Sequence, residues 1–379
     1  MRFVQATVPP DVGWRTQTMA SLVLAAVVCQ IGAQGLAGDV AWLQEVVQAP
    51  DVVPDADRGH FEPLLVNARG EPVRTLEQWR ERRQEIRKAW LSFLGPMPDE
   101  RRPVRLKVLH EDRDAGCIRQ LVEYESEPGH AVQGYLLTPL EAQSKRLPAL
   151  VALHQTSDTN IEEIAGIQGP ERQHLAVKLA RRGFVVFCPR NYLWQDVADY
   201  HAAVARFKAR HPHTLGMHKM LYDAMRAIDV LESLPQVDSQ RIGCVGHSLG
   251  GKEALYLAAF DERIRAAVAS EPGMGFSFTN WDAPWYLGQG IQAEDFPLNH
   301  HQLVALIAPR PFLLLAGESG GRGVSDGDRS WPYLGAAHPI CQLYGEPIRI
   351  GMDNHRQGHT VPDKSFALLA EWLETYLAE

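Results

Sequence analysis

The pentapeptide Gly246-His247-Ser248-Leu249-Gly250 constrains this chain more than any other feature. It follows the apolar run Ile242–Val245 and opens a helix-forming stretch over Leu249–Phe260. A serine flanked by glycines at a strand-to-helix junction reads as a sharp turn that lifts the hydroxyl above a sheet. Gly246 and Gly250 carry no side chain where strand and helix must converge. The helix N-terminus beneath the serine favours negative charge at that point. A chain with this turn needs a buried strand before it and a helix after it.

The rest of the sequence supplies more of the same pieces. Ala149–Leu153, Phe184–Phe187, Ile264–Ala269, Phe312–Ala316 and Ile348–Met352 are compact, mostly apolar runs, as expected for strands buried on both faces. Helical stretches separate them. Met217, Leu221, Ala224, Ile228 and Leu231 share one helix face that ends before Pro235, and Phe366, Leu369, Leu373 and Leu377 repeat the pattern near the C-terminus. Strand–helix alternation predicts a mostly parallel central sheet with helices on both faces. Ahead of it, Val104–Leu109, Cys117–Tyr124 and Val132–Thr138 read as short antiparallel edge strands. Thr75-Leu-Glu-Gln78 is a capping box, and its helix carries Trp79, Ile86, Trp90 and Phe93 before the stop at Gly95-Pro96. The expected division is a leader over 1–38, a helical lead-in with the first strand over 39–115, and a catalytic domain over 116–379.

Composition narrows the function classes. Lys and Arg number 38 against 46 Asp and Glu, a net charge of −8 with no basic run, which excludes a nucleic-acid binder. Five cysteines, none in a C-x-x-C pair, argue against a disulfide scaffold or a zinc site. Ser21–Val28 is a short apolar run after Arg2 and Arg15, with small residues following, the layout of a secretory signal peptide. It is too short for a stable membrane span. Secretion or a periplasmic location is expected, with a cytoplasmic enzyme if the leader is an upstream artefact. Oligomeric state is not legible.

The turn at Ser248 predicts the α/β-hydrolase fold, whose triad runs in the order Ser, acid, His. His359, in Asn354-His-Arg-Gln-Gly-His359 after the last strand-like run, is expected to be the general base, with His355 as the rival. The acid belongs in the loop after Phe312–Ala316. Counting back from a helix near Pro332 favours Asp328, with Asp326 and Glu318 as alternatives in that loop and Glu271 as one after Ile264–Ala269. The oxyanion hole is expected from the N–H groups of Leu249 and Gln155, the latter following Ala149–Leu153. No H-E-x-x-H pattern is present, so no metal and no cofactor are expected.

His247–Leu255, Asn280–Tyr286, Ala305–Phe312 and Asp326–Trp331 together resemble bacterial α/β-hydrolases of the acetyl xylan esterase-like type, over roughly residues 40–379, and more distantly the glucuronoyl esterases. In the latter an S-x-x-G-K run places a lysine near the sugar, and Ser248-Leu-Gly-Gly-Lys252 keeps that spacing. The resemblance therefore implies substrate contacts for Lys252, joined by Trp281 and Trp285 as an aromatic wall with Trp331. Glucuronoyl esterases have arginine after the nucleophile, where this chain has Leu249, and their acid often stands at the position of Glu271. The expected function is a serine carboxylester hydrolase acting through an acyl-enzyme on a small-molecule or polysaccharide ester, an acyl or uronate ester of a carbohydrate. A serine peptidase of the aminopeptidase-like branch and a catalytically silent binding protein are the alternatives.

Overall fold

A computed structural model describes residues 38–52, 61–98, 103–114, 116–143, 145–195, 197–318 and 325–378. The leader expected over 1–38 lies outside the described residues except for Gly38. Asp39–Glu379 forms one unit.

Nine strands make one sheet in the order β1-β2-β3-β5-β4-β6-β7-β8-β9. β1 (Lys107–Asp114), β2 (Cys117–Glu127) and β3 (His130–Pro139) are antiparallel, and β3 also meets β5 (Val185–Pro189) antiparallel. From β5 onward every pairing is parallel: β4 (Leu147–Leu153), β6 (Val237–His247), β7 (Ile264–Ser270), β8 (Phe312–Ala316) and β9 (Ile350–Asn354). The continuous apolar runs are explained by two cores. Ala149, Val151 and Leu153 of β4 pack on one side of the sheet, whereas Leu150 and Ala152 pack on the other. Phe312, Leu314 and Ala316 of β8 divide from Leu313 and Leu315 in the same way. Burial on both faces removes the polar alternation seen in β2.

Two boundaries differ from the sequence expectation. β1 begins at Lys107 rather than Val104, because this edge strand is almost wholly exposed and has no apolar signature to mark it. β6 begins at Val237, ahead of the apolar run, because its first half, Asp238–Arg241, is polar and only partly buried, whereas Ile242 onward is continuously buried. The helix Leu76–Leu94 carries the anticipated capping box at Thr75, and buries Trp79, Ile86, Trp90 and Leu94. The C-terminal ends of β4, β6, β7, β8 and β9 lie along one edge of the sheet, and the loops that leave them carry the chemistry.

Candidate active site

Ser248 sits between the end of β6 and the helix Leu249–Phe260, with φ 58° and ψ −117°. A non-glycine residue in this region is strained, and here the close packing of β6 and the helix holds it. A Cβ at Gly246 would lie 2.2 Å from the carbonyl oxygen of Gly250, and one at Gly250 would lie 2.0 Å from that of Leu153. Only glycine lets β6, the helix and β4 approach this closely. The Ser248 N–H donates to the Ser270 carbonyl at 2.8 Å, tying the turn to the end of β7. Leu249 is the first residue of the helix, so its N–H is among the first-turn donors without a partner inside the helix.

Glu271 follows directly and is also left-handed, at φ 52°. Its side chain is fully buried, with Oε2 3.5 Å from His359 Nδ1. The same oxygen accepts the N–H groups of Ser325 and Asp326 at 3.2 Å each. Burial pushes the Glu271 carboxyl above its ordinary range, and the bond to His359 opposes that push. His359 stands on the loop after β9, where Gly358 N–H donates to the Gly317 carbonyl at 2.7 Å. Its ring is 4.6 Å from that of His247, the neighbour of Ser248. His247 Nδ1 meets Ser270 Oγ at 2.9 Å, and burial holds it down to about 3, so this imidazole stays neutral.

Asp328, the expected partner of His359, is elsewhere. It accepts from Asn354 Nδ2 at 2.9 Å and from Arg356 at 2.6 Å. The expectation is corrected for a physical reason: the loop after β8 turns so that Asp328 opens a short 3-10 turn, and Asn354 and Arg356 occupy its oxygens. Asp326 is fully buried and accepts from Gly273 N–H at 2.6 Å, Met274 N–H at 2.7 Å and Ser330 Oγ at 2.6 Å. Glu318 lies 3.9 Å from Arg329. Thus Glu271 holds the backbone of the Asp326 loop, Asp326 holds the backbone of the Glu271 loop, and only Glu271 reaches histidine. The rival His355 is fixed locally, its Nδ1 accepting from Gln357 N–H at 3.1 Å.

Gln155 follows β4, and its side chain donates to Glu163 Oε1 at 2.6 Å. Next to it, His154 Nε2 accepts the Asn191 N–H at 3.1 Å. That bond fixes the tautomer, so Nδ1–H donates to the Gln155 carbonyl at 2.8 Å. Asn191 Nδ2 in turn donates to Glu253 Oε1 at 2.9 Å, and burial lifts Glu253 to about 8. This chain beneath the Gln155 loop was not foreseen. Its one signal in the sequence is a charged pair, Lys252-Glu253, in a helix otherwise apolar all round.

Comparison with known proteins agrees with this architecture. Residues 132–280 match the Dienelactone hydrolase family. A glucuronoyl esterase from Solibacter usitatus superposes with a TM-score of 0.68 at 20% identity, covering 86% of this chain and 99% of that one. The chain has the α/β-hydrolase fold. It is also similar to a glucuronoyl esterase of Teredinibacter turnerae, with a TM-score of 0.68, 20% identity, and coverage of 95% of this chain and 100% of the other. In sequence it is 30% identical over 172 residues to the 4-O-methyl-glucuronoyl methylesterase of Phanerochaete carnosa, covering 37% of this chain and 39% of that enzyme. It therefore spans about two fifths of that relative's length. The Bacillus subtilis protein named "Putative hydrolase YtaP" is matched at 26% identity, over 62% of this chain and 80% of that protein.

Of the residues expected at the sugar, all but Trp285 are buried. Lys252 is only 3% exposed. Its Nζ donates to the Pro272 carbonyl at 2.6 Å and to Thr279 Oγ1, and lies 3.8 Å from the centroid of Trp281. Burial pushes this amine down to about 7. Trp281 is fully buried and its Nε1–H donates to the Gly273 carbonyl at 2.6 Å. Both residues brace the loop that follows Glu271, and Trp331 is buried as well. Trp285 alone is half-buried, edge-on to Tyr200 at 5.6 Å. Two of the three tryptophans expected in the wall, Trp281 and Trp331, are thus taken up by packing. Among the described residues, no helix is long and apolar enough to cross a membrane.

Proposed function

We propose that this protein is a serine carboxylester hydrolase that cleaves an ester carried by a carbohydrate through an acyl-enzyme, with Ser248, His359 and Glu271 as its triad. The observation that carries the reading is the buried Glu271 carboxylate 3.5 Å from His359 Nδ1, on the loop beside the strained Ser248 turn. His359 Nε2 takes the Ser248 proton, and the alkoxide attacks the ester carbonyl. The carbonyl oxygen becomes an oxyanion received by the N–H groups of Leu249 and Gln155. His359 then protonates the departing alcohol, and water repeats the cycle on the acyl-enzyme. Glu271 holds the tautomer and orientation of His359 and stabilises the imidazolium that forms.

The carbohydrate ester is supported by the similarity to glucuronoyl esterases and to a 4-O-methyl-glucuronoyl methylesterase. Export through the leader over 1–38 is part of the same proposal and is checked by N-terminal sequencing of the mature protein. Steady-state hydrolysis of acetylated xylan, methyl glucuronate esters and 4-nitrophenyl acetate tests the reading. Turnover of a carbohydrate ester that Ser248→Ala lowers by about 10⁶ supports it. Ester turnover that survives this substitution overturns it.

A further inference from the structure

The loop that leaves β4 is organised around one carboxylate. Glu163 stands on the short helix Asn160–Ile164 and is 7% exposed. Its Oε1 accepts from Gln155 Nε2 at 2.6 Å. Its Oε2 accepts from Ser157 Oγ at 2.9 Å and from Thr159 Oγ1 at 3.3 Å. Those two hydroxyls also meet each other at 2.8 Å, and the Thr159 N–H donates to Ser157 Oγ at 3.2 Å. With its amide nitrogen turned toward Glu163, Gln173 donates to Oε1 at 3.0 Å and to Oε2 at 3.2 Å, and its oxygen accepts from Gln155 Nε2 at 2.6 Å. Gly169, left-handed at φ 76°, passes so close that a Cβ there would lie 2.9 Å from Glu163 Oε2.

Among the described residues no cation pairs with this carboxylate; Arg172 borders the same small cavity and makes no ion pair with it. A buried anion held by neutral donors alone is costly. All of those donors belong to the stretch 155–173, so what the charge organises is the path of the loop. Asn160 is held left-handed at φ 38°, the mark of a backbone that its surroundings over-determine. The consequence is sharpest at Gln155. Its side chain goes to Glu163, and its carbonyl accepts from His154 Nδ1 at 2.8 Å. Its own N–H donates to no group among the described residues. With the side chain and the carbonyl of one residue both tied, the direction of its N–H is set.

We propose that Glu163 is a positioning residue of the ester hydrolysis: through the Gln155 side chain it holds the Gln155 N–H on the oxyanion that forms when Ser248 attacks. The assignment rests on the ester-hydrolase reading. Glu163 acts through Gln155 and not on the substrate. Hydrogen bonds to an ionised acceptor are shorter and stronger than those to a neutral amide, so the carboxylate fixes the loop more firmly than glutamine would. An oxyanion donor works only when it is already aimed at the place where charge develops. Slack in the loop therefore weakens the transition state and leaves ground-state binding alone.

Steady-state hydrolysis of 4-nitrophenyl acetate by the full chain tests the proposal in the wild type, Glu163→Gln, Gln155→Ala and the double variant. In each single variant kcat should fall about 100-fold, with KM within about three-fold of wild type. The double variant should lose no more than Glu163→Gln alone, because both substitutions act through one N–H. Inhibition by phenyl trifluoromethyl ketone gives the second readout. Ser248 Oγ adds to its carbonyl carbon, the Ser248 proton passes to His359, and the carbonyl oxygen becomes an oxyanion. Its inhibition constant should rise by the same factor as kcat falls, whereas a merely structural role lowers Tm and leaves both in place. A kcat within about three-fold of wild type in Glu163→Gln, or losses that multiply in the double variant, overturns the proposal. If Glu163→Gln does not fold, Gln155→Ala decides, and an undiminished kcat there overturns it. A wild type that turns over no ester overturns the ester-hydrolase reading, whereas an active wild type indifferent to both substitutions overturns the role of Glu163 alone.

Discussion

Replacing Glu271 by glutamine removes one charge and almost no volume. The carboxylate is fully buried and 3.5 Å from His359 Nδ1. At that distance, with an effective dielectric constant of about 20, its attraction to an imidazolium is worth about 5 kcal/mol. His359 is 37% exposed, and screening by water lowers the figure, so about 4 kcal/mol remains as a working value. At about 1.4 kcal/mol per factor of ten, kcat should fall by about three orders of magnitude. The loss should appear in kcat rather than KM, because the imidazolium forms only as the reaction proceeds. The assay is steady-state hydrolysis of 4-nitrophenyl acetate across pH 5–9, beside Asp328→Asn as the control. Asp328 serves Asn354 and Arg356, so its variant should stay within about three-fold of wild type. A Glu271→Gln enzyme within about ten-fold of wild type, with a large loss in Asp328→Asn, would refute the reasoning.

Other outcomes follow from the same contacts. Gly250→Ala places a Cβ 2.0 Å from the Leu153 carbonyl, so soluble yield or Tm should drop sharply, read by thermal scanning. Glu253 is lifted to about 8 by burial, so the folded state keeps a proton that the unfolded carboxyl releases near its usual value. The stability this contributes is complete below about pH 4.5 and is lost as pH rises toward 8. Glu253→Gln should therefore flatten the decline of Tm between pH 5 and 8. Lys252 is pushed down to about 7, the opposite case: the unfolded amine holds a proton that the folded one gives up. Its contribution to stability rises from about pH 7 to 10, so Lys252→Met should remove that rise in urea titrations at several pH values.

The parts of the fold that were legible are those whose sequence signal comes from burial. β4, β5 and β8 are covered on both faces and read as unbroken apolar runs, whereas the exposed β1 left no such trace. The Ser248 turn was legible because glycine is demanded at Gly246 and Gly250 by backbone contacts that no side chain can share. The position of His359 on the loop after β9 was legible. Which carboxylate faces it was not, because spacing along the loop after β8 says nothing about which way that loop folds. Three acids there compete on paper, and in space Asp326 turns inward to Gly273 and Met274 while Asp328 turns to Arg356. Lys252 and Trp281 show the same limit for a resemblance. The residue types persist, and here they are buried against each other beneath the loop after Glu271.

Covalent labelling with a fluorophosphonate, followed by intact mass and peptide mapping, tests the central claim most directly. One adduct per chain on the peptide bearing Ser248, formed quickly by the wild type, slowly by Glu271→Gln and not at all by Ser248→Ala, is the expected result. An unlabelled wild type, or an adduct on another residue, would contradict the assignment of Ser248 as the nucleophile of a serine hydrolase.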